Sequence, residues 1–166
     1  MKEGKLQIYC GSGKGKTTAA IGLAIREASR GRSVFVVQFL KGKHPEEISF
    51  IQRLEPEIKM FRFQKREDSF EDLTLQEKEE EIPNLRNGLN FAKKVLATGE
   101  CDVLILDEVL GLLEQGIATL DEIHGLLDSA EDTELIFTGI KLCPEMLEWA
   151  DEVYQITALK ETDSAC

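Results

Sequence analysis

The sequence contains no long apolar run, few cysteines and fewer basic than acidic residues, and each shortage excludes a class of protein. No apolar stretch approaches the ~20 residues that a membrane-spanning helix needs, and residues 1–5 lead directly into a predicted strand, so we expect a cytoplasmic protein without a membrane partner. The four cysteines form no C-x-x-C pair, which argues against a disulfide framework and a cysteine zinc site. A net charge of -11 argues against nucleic acid as a partner, because binding to a phosphate backbone relies on clustered Lys and Arg.

The basic residues that are present concentrate near the N-terminus. The first 43 residues contain nine Lys or Arg and two acidic residues. The rest of the chain contains eleven Lys or Arg and twenty-nine acidic residues. This local excess surrounds a glycine-rich segment and favours attraction of a polyanionic ligand, although a solvated basic face would have the same composition. The length of 166 residues suits a single domain, here residues 1–166, with a core of its own.

Hydrophobic patterns predict strands that alternate with helices along the chain. The predicted helices lie at residues 18–30, 84–96, 120–127 and 145–150, and the predicted strands lie at residues 6–9, 33–40, 58–63, 103–106, 135–139 and 153–159. Capping boxes at Thr74 and Thr119 mark helix starts, whereas Pro83 should break or kink its helix. Residues 64–72 are charged and predict an exposed loop with little structure of its own.

The alternation of strands and helices indicates an α/β protein. Strands joined through helices form right-handed crossovers and a mainly parallel sheet, here of about six strands. We therefore expect a three-layer fold with helices on both faces of the sheet. Ligands of such folds bind at the carboxyl ends of the strands, and the polar motifs of this sequence fall at those ends.

The strongest functional motif is a glycine-rich segment between the first strand and the first helix. It reads Gly11-Ser12-Gly13-Lys14-Gly15-Lys16-Thr17-Thr18. The last three positions of the common G-x-x-x-x-G-K-[ST] pattern are present, while Cys10 replaces its first glycine. Gly11 and Gly13 still let backbone amides approach phosphate oxygens, and the helix that follows adds the positive end of its dipole. The expected three-layer α/β fold is therefore P-loop NTPase-like. We expect this P-loop to bind ATP, with Lys16 on the terminal phosphate oxygens and Lys14 as a second cation.

Two carboxylates follow the fourth predicted strand. Asp107 and Glu108 end an apolar run, where buried acids require a positive partner. Mg²⁺ takes one or two carboxylates together with phosphate oxygens and water, so we expect it to be bound by Thr17 with Asp107, Glu108 or both. A solvated strand end is the alternative interpretation of the two acids.

Beyond these motifs, the sequence resembles the P-loop type of ATP:corrinoid adenosyltransferase. The family also reads G-[NS]-G-K-G-K-T-T without the first glycine, and the likeness includes Arg26, the segment from Val36 to Gly42 and Leu106-Asp107-Glu108. The resemblance implies that ATP donates its 5′-deoxyadenosyl group to a reduced cob(I) corrinoid and releases triphosphate. It also implies that Arg26, Gln38 and Lys41 join the P-loop in binding ATP, and that Lys16 and Glu108 are the catalytic residues, with Glu108 as a metal ligand.

The resemblance extends to partners. It implies a corrinoid substrate, a reductant for cobalt, for which a flavoprotein is a candidate, and a homodimer as a candidate assembly. In the family, ATP lies reversed relative to ordinary P-loop hydrolases, and the aromatic residues of a G-[FW]-T-W segment help the corrinoid to lose its lower ligand. This chain has Phe70 as the single aromatic residue in the corresponding loop, and it has Ile140-Lys141 where the family carries the arginine of T-G-R.

Two other functions share the phosphate site. A small-molecule kinase or ATPase needs a base or a residue that positions water, and Glu108 is the available candidate. A nucleotide-dependent switch would bind ATP without transferring any group, which the missing loop tryptophan favours. The products released from ATP distinguish the three, because adenosyl transfer gives triphosphate, phosphoryl chemistry gives ADP, and a switch gives no product.

Overall fold

The computed structural model describes residues 5–42 and 45–162, so residues 1–4 and one of the four cysteines, Cys166, lie outside the described part. Six strands and six α-helices alternate along it, except that two helices in succession join the fourth strand to the fifth. The helices are α1 (Lys16–Ser29), α2 (Pro45–Gln52), α3 (Leu75–Thr98), α4 (Val109–Glu114), α5 (Leu120–Asp128) and α6 (Pro144–Trp149). The strands are β1 (Leu6–Cys10), β2 (Val34–Gln38), β3 (Ile58–Arg62), β4 (Val103–Asp107), β5 (Glu134–Thr138) and β6 (Glu152–Gln155).

The strands form one sheet in the order β3-β2-β4-β5-β1-β6, and every neighbouring pair is parallel. The prediction of about six strands is confirmed, and the sheet is fully rather than mainly parallel. Because all strands run the same way, the segments that follow β1, β2, β4 and β5 emerge at one edge of the sheet. This arrangement brings the glycine-rich loop and the two predicted acids to the same edge.

Helices cover both faces of the sheet, which confirms the three-layer α/β architecture. Alternate residues of each strand point to opposite faces, so β2 buries Val34 and Val36 in one core and Phe35 and Val37 in the other. The first core packs against α1, and the second packs against α3, α4, α5 and α6. Strands covered on both faces must be apolar throughout, which accounts for the continuous hydrophobic runs of β2 and β4.

Helix α3 is continuous at Pro83, so the predicted break does not occur there, and the kink that was the other predicted outcome stays a prediction. The helix begins at the capping box of Thr74 and Glu77, as predicted, and then continues through Pro83 to Thr98. A proline inside a helix removes one hydrogen bond to the carbonyl four residues earlier, here that of Glu79. Both Pro83 and Glu79 are exposed, so water can bind this carbonyl, while Leu85 and Leu89 hold the next turns against the sheet.

Several other boundaries differ from the predictions. The predicted strands at 33–40 and 153–159 end earlier, at Gln38 and Gln155, and α2 and α4 were not predicted at all. Leu40 has a φ of 63°, so the chain turns away from the sheet directly after β2 although its residues remain apolar. Within residues 5–42 and 45–162, no helix combines the length and hydropathy that are needed to cross a lipid bilayer.

Candidate functional site

The glycine-rich loop packs tightly against Ile156, the residue that directly follows β6. Gly11 has a φ of 113°, and a Cβ atom at this position would lie 2.3 Å from the carbonyl oxygen of Ile156. The amide of Gly13 donates to the same oxygen at 2.9 Å. Gly15, with a φ of 106°, makes the turn into α1. Burial raises the pKa of the Cys10 thiol before the loop, so this cysteine acts as a packing residue.

Lys16 folds back over the loop that precedes it. Its side chain is largely buried, with the residue 9% exposed, and Nζ donates a hydrogen bond to the Gly13 carbonyl oxygen at 2.8 Å. The ammonium group thus lies at the mouth of the loop, next to the N-terminal end of α1. Both a fixed positive charge and the helix dipole therefore favour an anion at this place. Ser12, Lys14 and Thr18 are exposed around it, within reach of solvent-borne phosphate.

Asp107 is the centre of a polar cluster at the same edge of the sheet. The residue is fully buried, and its carboxylate accepts hydrogen bonds from four side chains on four different elements or connections. The donors are Thr138 Oγ1 at 2.7 Å, Lys41 Nζ at 2.9 Å, Thr17 Oγ1 at 3.0 Å and Gln38 Nε2 at 3.2 Å. The predicted residues Thr17, Gln38, Lys41 and Asp107 are thus brought together.

The Lys41 ammonium group supplies the positive charge of this cluster. Nζ contacts both the Thr17 hydroxyl and the Asp107 carboxylate, the two oxygen groups that the sequence analysis assigned to Mg²⁺. Among the described residues, no group of three or more His, Cys, Asp or Glu side chains is placed to hold a metal ion. A donor set of one hydroxyl and one or two carboxylates suits Mg²⁺, which completes its octahedron with phosphate oxygens and water.

Glu108 lies beside this cluster and not within it. Its backbone is left-handed, with a φ of 62°, and its amide donates to Thr138 Oγ1 at 2.8 Å. Burial and then the nearby Asp107 raise the pKa of the Glu108 carboxyl, while Lys41 and Lys16 oppose the rise. The side chain lines a pocket of about 190 Å³. The other side chains of this pocket include those of Lys41, Phe70, Glu114 and Ile140.

A larger pocket opens on the other side of Thr17. It has a volume of about 580 Å³, within the range of about 300 to 1,000 Å³ that is usual for small-molecule sites, whereas the pocket at Glu108 falls below that range. Its lining is mainly apolar and comes from α1 and α2, with polar groups from the P-loop side. The lining residues are Thr17, Thr18, Ile21, Gly22, Ile25, Gln38, Phe50 and Ile51.

Arg26 is not brought to this site. It is exposed near the C-terminal end of α1 and lines a groove with Tyr9, Glu27 and Tyr154 on a different part of the surface. Ten residues of α-helix separate it from Lys16, a distance along the axis of about 15 Å. The structure therefore does not bring Arg26 to the P-loop, because the helix axis carries the side chain away from the edge where the loop lies, and its role in ATP binding stays a prediction from the family resemblance.

Thr138 and Arg62 are site residues that motif analysis did not assign. Thr138 ends β5 and donates to Asp107, and Arg62 ends β3 and donates to the Gln38 amide oxygen. Both are polar residues at the carboxyl ends of predicted strands. The rule that located Asp107 and Glu108 could have located these two as well.

Residues 64–72 are more firmly held than their sequence predicted. The charged side chains of Lys65, Glu67 and Asp68 are exposed, as expected, but the backbone is anchored from within. The carboxylate of Glu81, a buried residue on α3, accepts hydrogen bonds from the amides of Lys65 and Arg66, both at 3.1 Å. The loop also closes with a 3₁₀ turn, Phe70–Asp72.

Phe70 is buried within that loop. The residue is 2% exposed, and its amide donates to the Leu40 carbonyl oxygen at 3.0 Å. The prediction that this loop is exposed and has little structure is therefore wrong where Glu81 and Phe70 hold it. Composition does not reveal these contacts, because they come from one buried acid and one buried aromatic residue.

Comparison with known proteins gives one consistent result. A family model described as ATP:corrinoid adenosyltransferase BtuR/CobO/CobP matches residues 2–164. The corrinoid adenosyltransferase of Escherichia coli is 30% identical over 165 residues, which cover 99% of this chain and 82% of the relative. The corrinoid adenosyltransferase of Pseudomonas aeruginosa is 28% identical over 166 residues, which cover 99% of this chain and 80% of that relative.

Solved structures agree on the architecture. The flagellar accessory protein FlaH from Methanocaldococcus jannaschii superimposes with a TM-score of 0.58 at 17% identity, over 92% of this chain and 70% of FlaH. At such low identity the likeness concerns the fold alone, which is P-loop NTPase-like.

Proposed function

The chain belongs to the BtuR/CobO/CobP family of ATP:corrinoid adenosyltransferases, and from this premise we propose how its residues transfer the 5′-deoxyadenosyl group of ATP to a reduced corrinoid. The nucleophile is cobalt(I) of the substrate, which attacks C5′ of ATP. A cobalt–carbon bond forms with both electrons from cobalt, the C5′–O5′ bond breaks, and triphosphate leaves with the electron pair of the broken C5′–O5′ bond. Since the substrate supplies the nucleophile, the protein needs no general base. Neither a kinase nor a switch without transfer activity is favoured by the family membership.

The observation that carries the assignment of residues is the cluster of Lys41, Thr17 and Asp107 beside the P-loop. A cation already lies between the hydroxyl and the carboxylate, so the position suits a metal ion bound to the triphosphate. We propose that Thr17 and Asp107 hold Mg²⁺ there and that Glu108 contributes a carboxylate from the adjacent pocket. When bound, Mg²⁺ would neutralise charge on the leaving triphosphate.

The remaining charge of the triphosphate is matched by the P-loop itself. Lys16 is buried at the mouth of the loop and fixed by its bond to Gly13, so its ammonium group needs little rearrangement to meet phosphate oxygens. Lys14 is exposed and adds a second, more mobile cation, and the residues from Gly11 to Thr18 supply backbone amides. Stabilisation of a leaving group by fixed donors is the contribution this reaction requires.

The two pockets beside the Asp107 cluster, one lined in part by Thr17 and Gln38 and the other by Lys41, suggest where the rest of the substrates lie. We assign the nucleoside of ATP to the larger, apolar pocket between α1 and α2, because it adjoins Thr17 and has the volume of a small-molecule site. A nucleoside in this position would match the reversed ATP implied by the family resemblance. The corrinoid would then approach the strand edge from outside, on the side of Glu108 and Phe70.

Three further parts of the proposal come from the family resemblance alone. They are a corrinoid as the second substrate, a reductant that delivers cobalt(I), for which a flavoprotein is the candidate, and a homodimer as the assembly. Size-exclusion chromatography with light scattering measures the last of these directly.

The products released from ATP test the proposal. The protein is incubated with ATP, Mg²⁺ and a chemically reduced corrinoid, and the nucleotide and phosphate products are separated by ion-exchange chromatography. We expect triphosphate in a one-to-one ratio with the alkylated corrinoid, and neither product with the Lys16→Ala variant. Release of ADP and phosphate without a cobalt–carbon bond would contradict the proposal.

A further inference from the structure

Three residues form a row across the carboxyl edge of the sheet. In the strand register, Gln38 of β2 pairs with Arg62 of β3 on one side and with Asp107 of β4 on the other. Their side chains follow the same order, because the Arg62 guanidinium donates to the Gln38 amide oxygen and the Gln38 amide nitrogen donates to Asp107 at 3.2 Å. A continuous chain of hydrogen bonds thus joins an edge strand to the metal-binding carboxylate.

The chemistry of arginine fixes the direction of these hydrogen bonds. A guanidinium group has only donors, so it can face the oxygen of the Gln38 amide and not its nitrogen. The NH₂ group of Gln38 is then directed towards Asp107, as the carboxylate requires. A glutamine without this partner could turn its amide and present an oxygen to the Asp107 carboxylate, which would repel it.

Arg62 also holds the backbone that carries the other donor to Asp107. A second guanidinium nitrogen donates to the Gly42 carbonyl oxygen at 2.7 Å, and Gly42 directly follows Lys41. One side chain therefore restrains two of the three groups that donate to Asp107 Oδ2, namely the Gln38 amide and the Lys41 ammonium; the third is the Thr17 hydroxyl. The two arms of the planar guanidinium make this a role that a lysine could fill only in part.

We propose that Arg62 is a positioning residue, which acts through Gln38 to hold the Asp107 carboxylate in the orientation that binds Mg²⁺ with ATP. The inference rests on the metal site of the proposed function. Residues that orient a metal ligand through a hydrogen bond typically change metal affinity or activity by about 10- to 100-fold when they are replaced. Arg62 touches neither substrate in this scheme.

Binding of Mg²⁺ and ATP, without any corrinoid, tests the proposal. Isothermal titration calorimetry with ATP at a series of Mg²⁺ concentrations gives the apparent Mg²⁺ affinity of the ATP complex. We expect Arg62→Met to weaken this affinity by about tenfold and Arg62→Lys to recover part of the loss. Lys59→Met removes a positive charge from the same strand and should leave the affinity unchanged. If Arg62→Met unfolds the protein, Arg62→Lys alone decides the question, since it must still give a measurable loss.

A double-mutant cycle separates positioning from a general structural effect. If Arg62 acts through Gln38, Arg62→Met should cost much less in a Gln38→Met background than in the wild type. Equal losses in both backgrounds, or a wild-type Mg²⁺ affinity for Arg62→Met, would overturn the proposal while leaving the metal site intact. Wild-type binding of ATP that does not depend on Mg²⁺ would instead overturn the metal site itself, and this inference with it.

Discussion

Two regions near the carboxyl edge of the sheet are each built around a buried carboxylate, and they use it differently. Asp107 accepts hydrogen bonds from side chains, among them the Thr17 hydroxyl and the Lys41 ammonium group, and a metal ion could take the place of that ammonium group. Glu81 accepts hydrogen bonds from the backbone amides of Lys65 and Arg66 and from the Asn84 side chain. Side-chain donors can move aside for a ligand, whereas backbone amides hold a loop in place.

This difference separates the half of the site to which we assign the nucleotide from the half to which we assign the corrinoid. The half around Asp107 is specified by short motifs at strand ends. The half around Glu81 is specified by contacts between residues distant in sequence, and it carries the segment that departs from the family's aromatic pattern. The comparison predicts that substitutions in the first region change ligand binding and that substitutions in the second change stability.

The largest expected effect is the loss of ATP binding in Lys16→Ala. Removing the buried ammonium group leaves phosphate charge unpaired at the mouth of the P-loop, and we expect ATP affinity to fall on the order of a hundredfold. Calorimetry measures the affinity, and Lys14→Ala, which removes an exposed cation, should lose much less. Wild-type ATP affinity for Lys16→Ala would contradict the P-loop assignment.

Glu81→Gln should lower stability and leave ATP binding unchanged. The amide keeps the volume but loses a charged acceptor for two backbone amides, which we expect to lower the free energy of unfolding by about 2 kcal/mol. Chemical denaturation measures this value. ATP affinity should stay at the wild-type level, and a matching fall in affinity would show that the two regions are not separate.

Glu108→Gln tests whether the acid beside the cluster belongs to the metal site. The amide is a weaker ligand for Mg²⁺ than a carboxylate, so we expect activity at limiting Mg²⁺ to fall about tenfold while the fold is kept. Initial rates of triphosphate release across a Mg²⁺ series give the measurement. An unchanged rate and Mg²⁺ dependence would remove Glu108 from the site.

The difference in stability between Glu108→Gln and the wild type should depend on pH. Because the pKa of Glu108 is raised in the folded protein, the folded state binds more protons than the unfolded state between the ordinary and the raised pKa. The contribution of Glu108 to stability therefore falls as the pH rises through this window. Without ligands, Glu108→Gln should melt at a higher temperature than the wild type above the window, and the difference should vanish below a pH of about 4.

Features of the fold and the site could be predicted from the sequence where they depend on neighbouring residues, and could not where they depend on residues distant in sequence. Local rules identified the P-loop, both capping boxes and the acids after β4, since each depends on neighbouring residues or on the end of a strand. The continuous helix through Pro83 depends on packing of Leu85 and Leu89 against a distant sheet. The anchoring of residues 64–72 depends on Glu81, which looks like any other acid in a highly charged segment.

Phe70→Leu has the smallest expected effect and tests the boundary between the two regions. The family resemblance gives the loop aromatics a role at the lower ligand of the corrinoid, whereas in this structure Phe70 is buried and lines the pocket beside Glu108. Leucine keeps most of the apolar volume, so we expect a loss of about 1 kcal/mol in stability. If Phe70 remains packed during turnover, transfer should slow by about twofold or less, and equally, for a corrinoid that carries its lower nucleotide base and for one that lacks it. The reason is that a packed side chain cannot distinguish substrates that differ only at the lower ligand. Parallel steady-state assays with chemically reduced cobalt measure both rates. A larger loss with the base-carrying corrinoid would show that Phe70 leaves its pocket to act on that ligand, and the loop would then belong to the catalytic region despite its buried anchor.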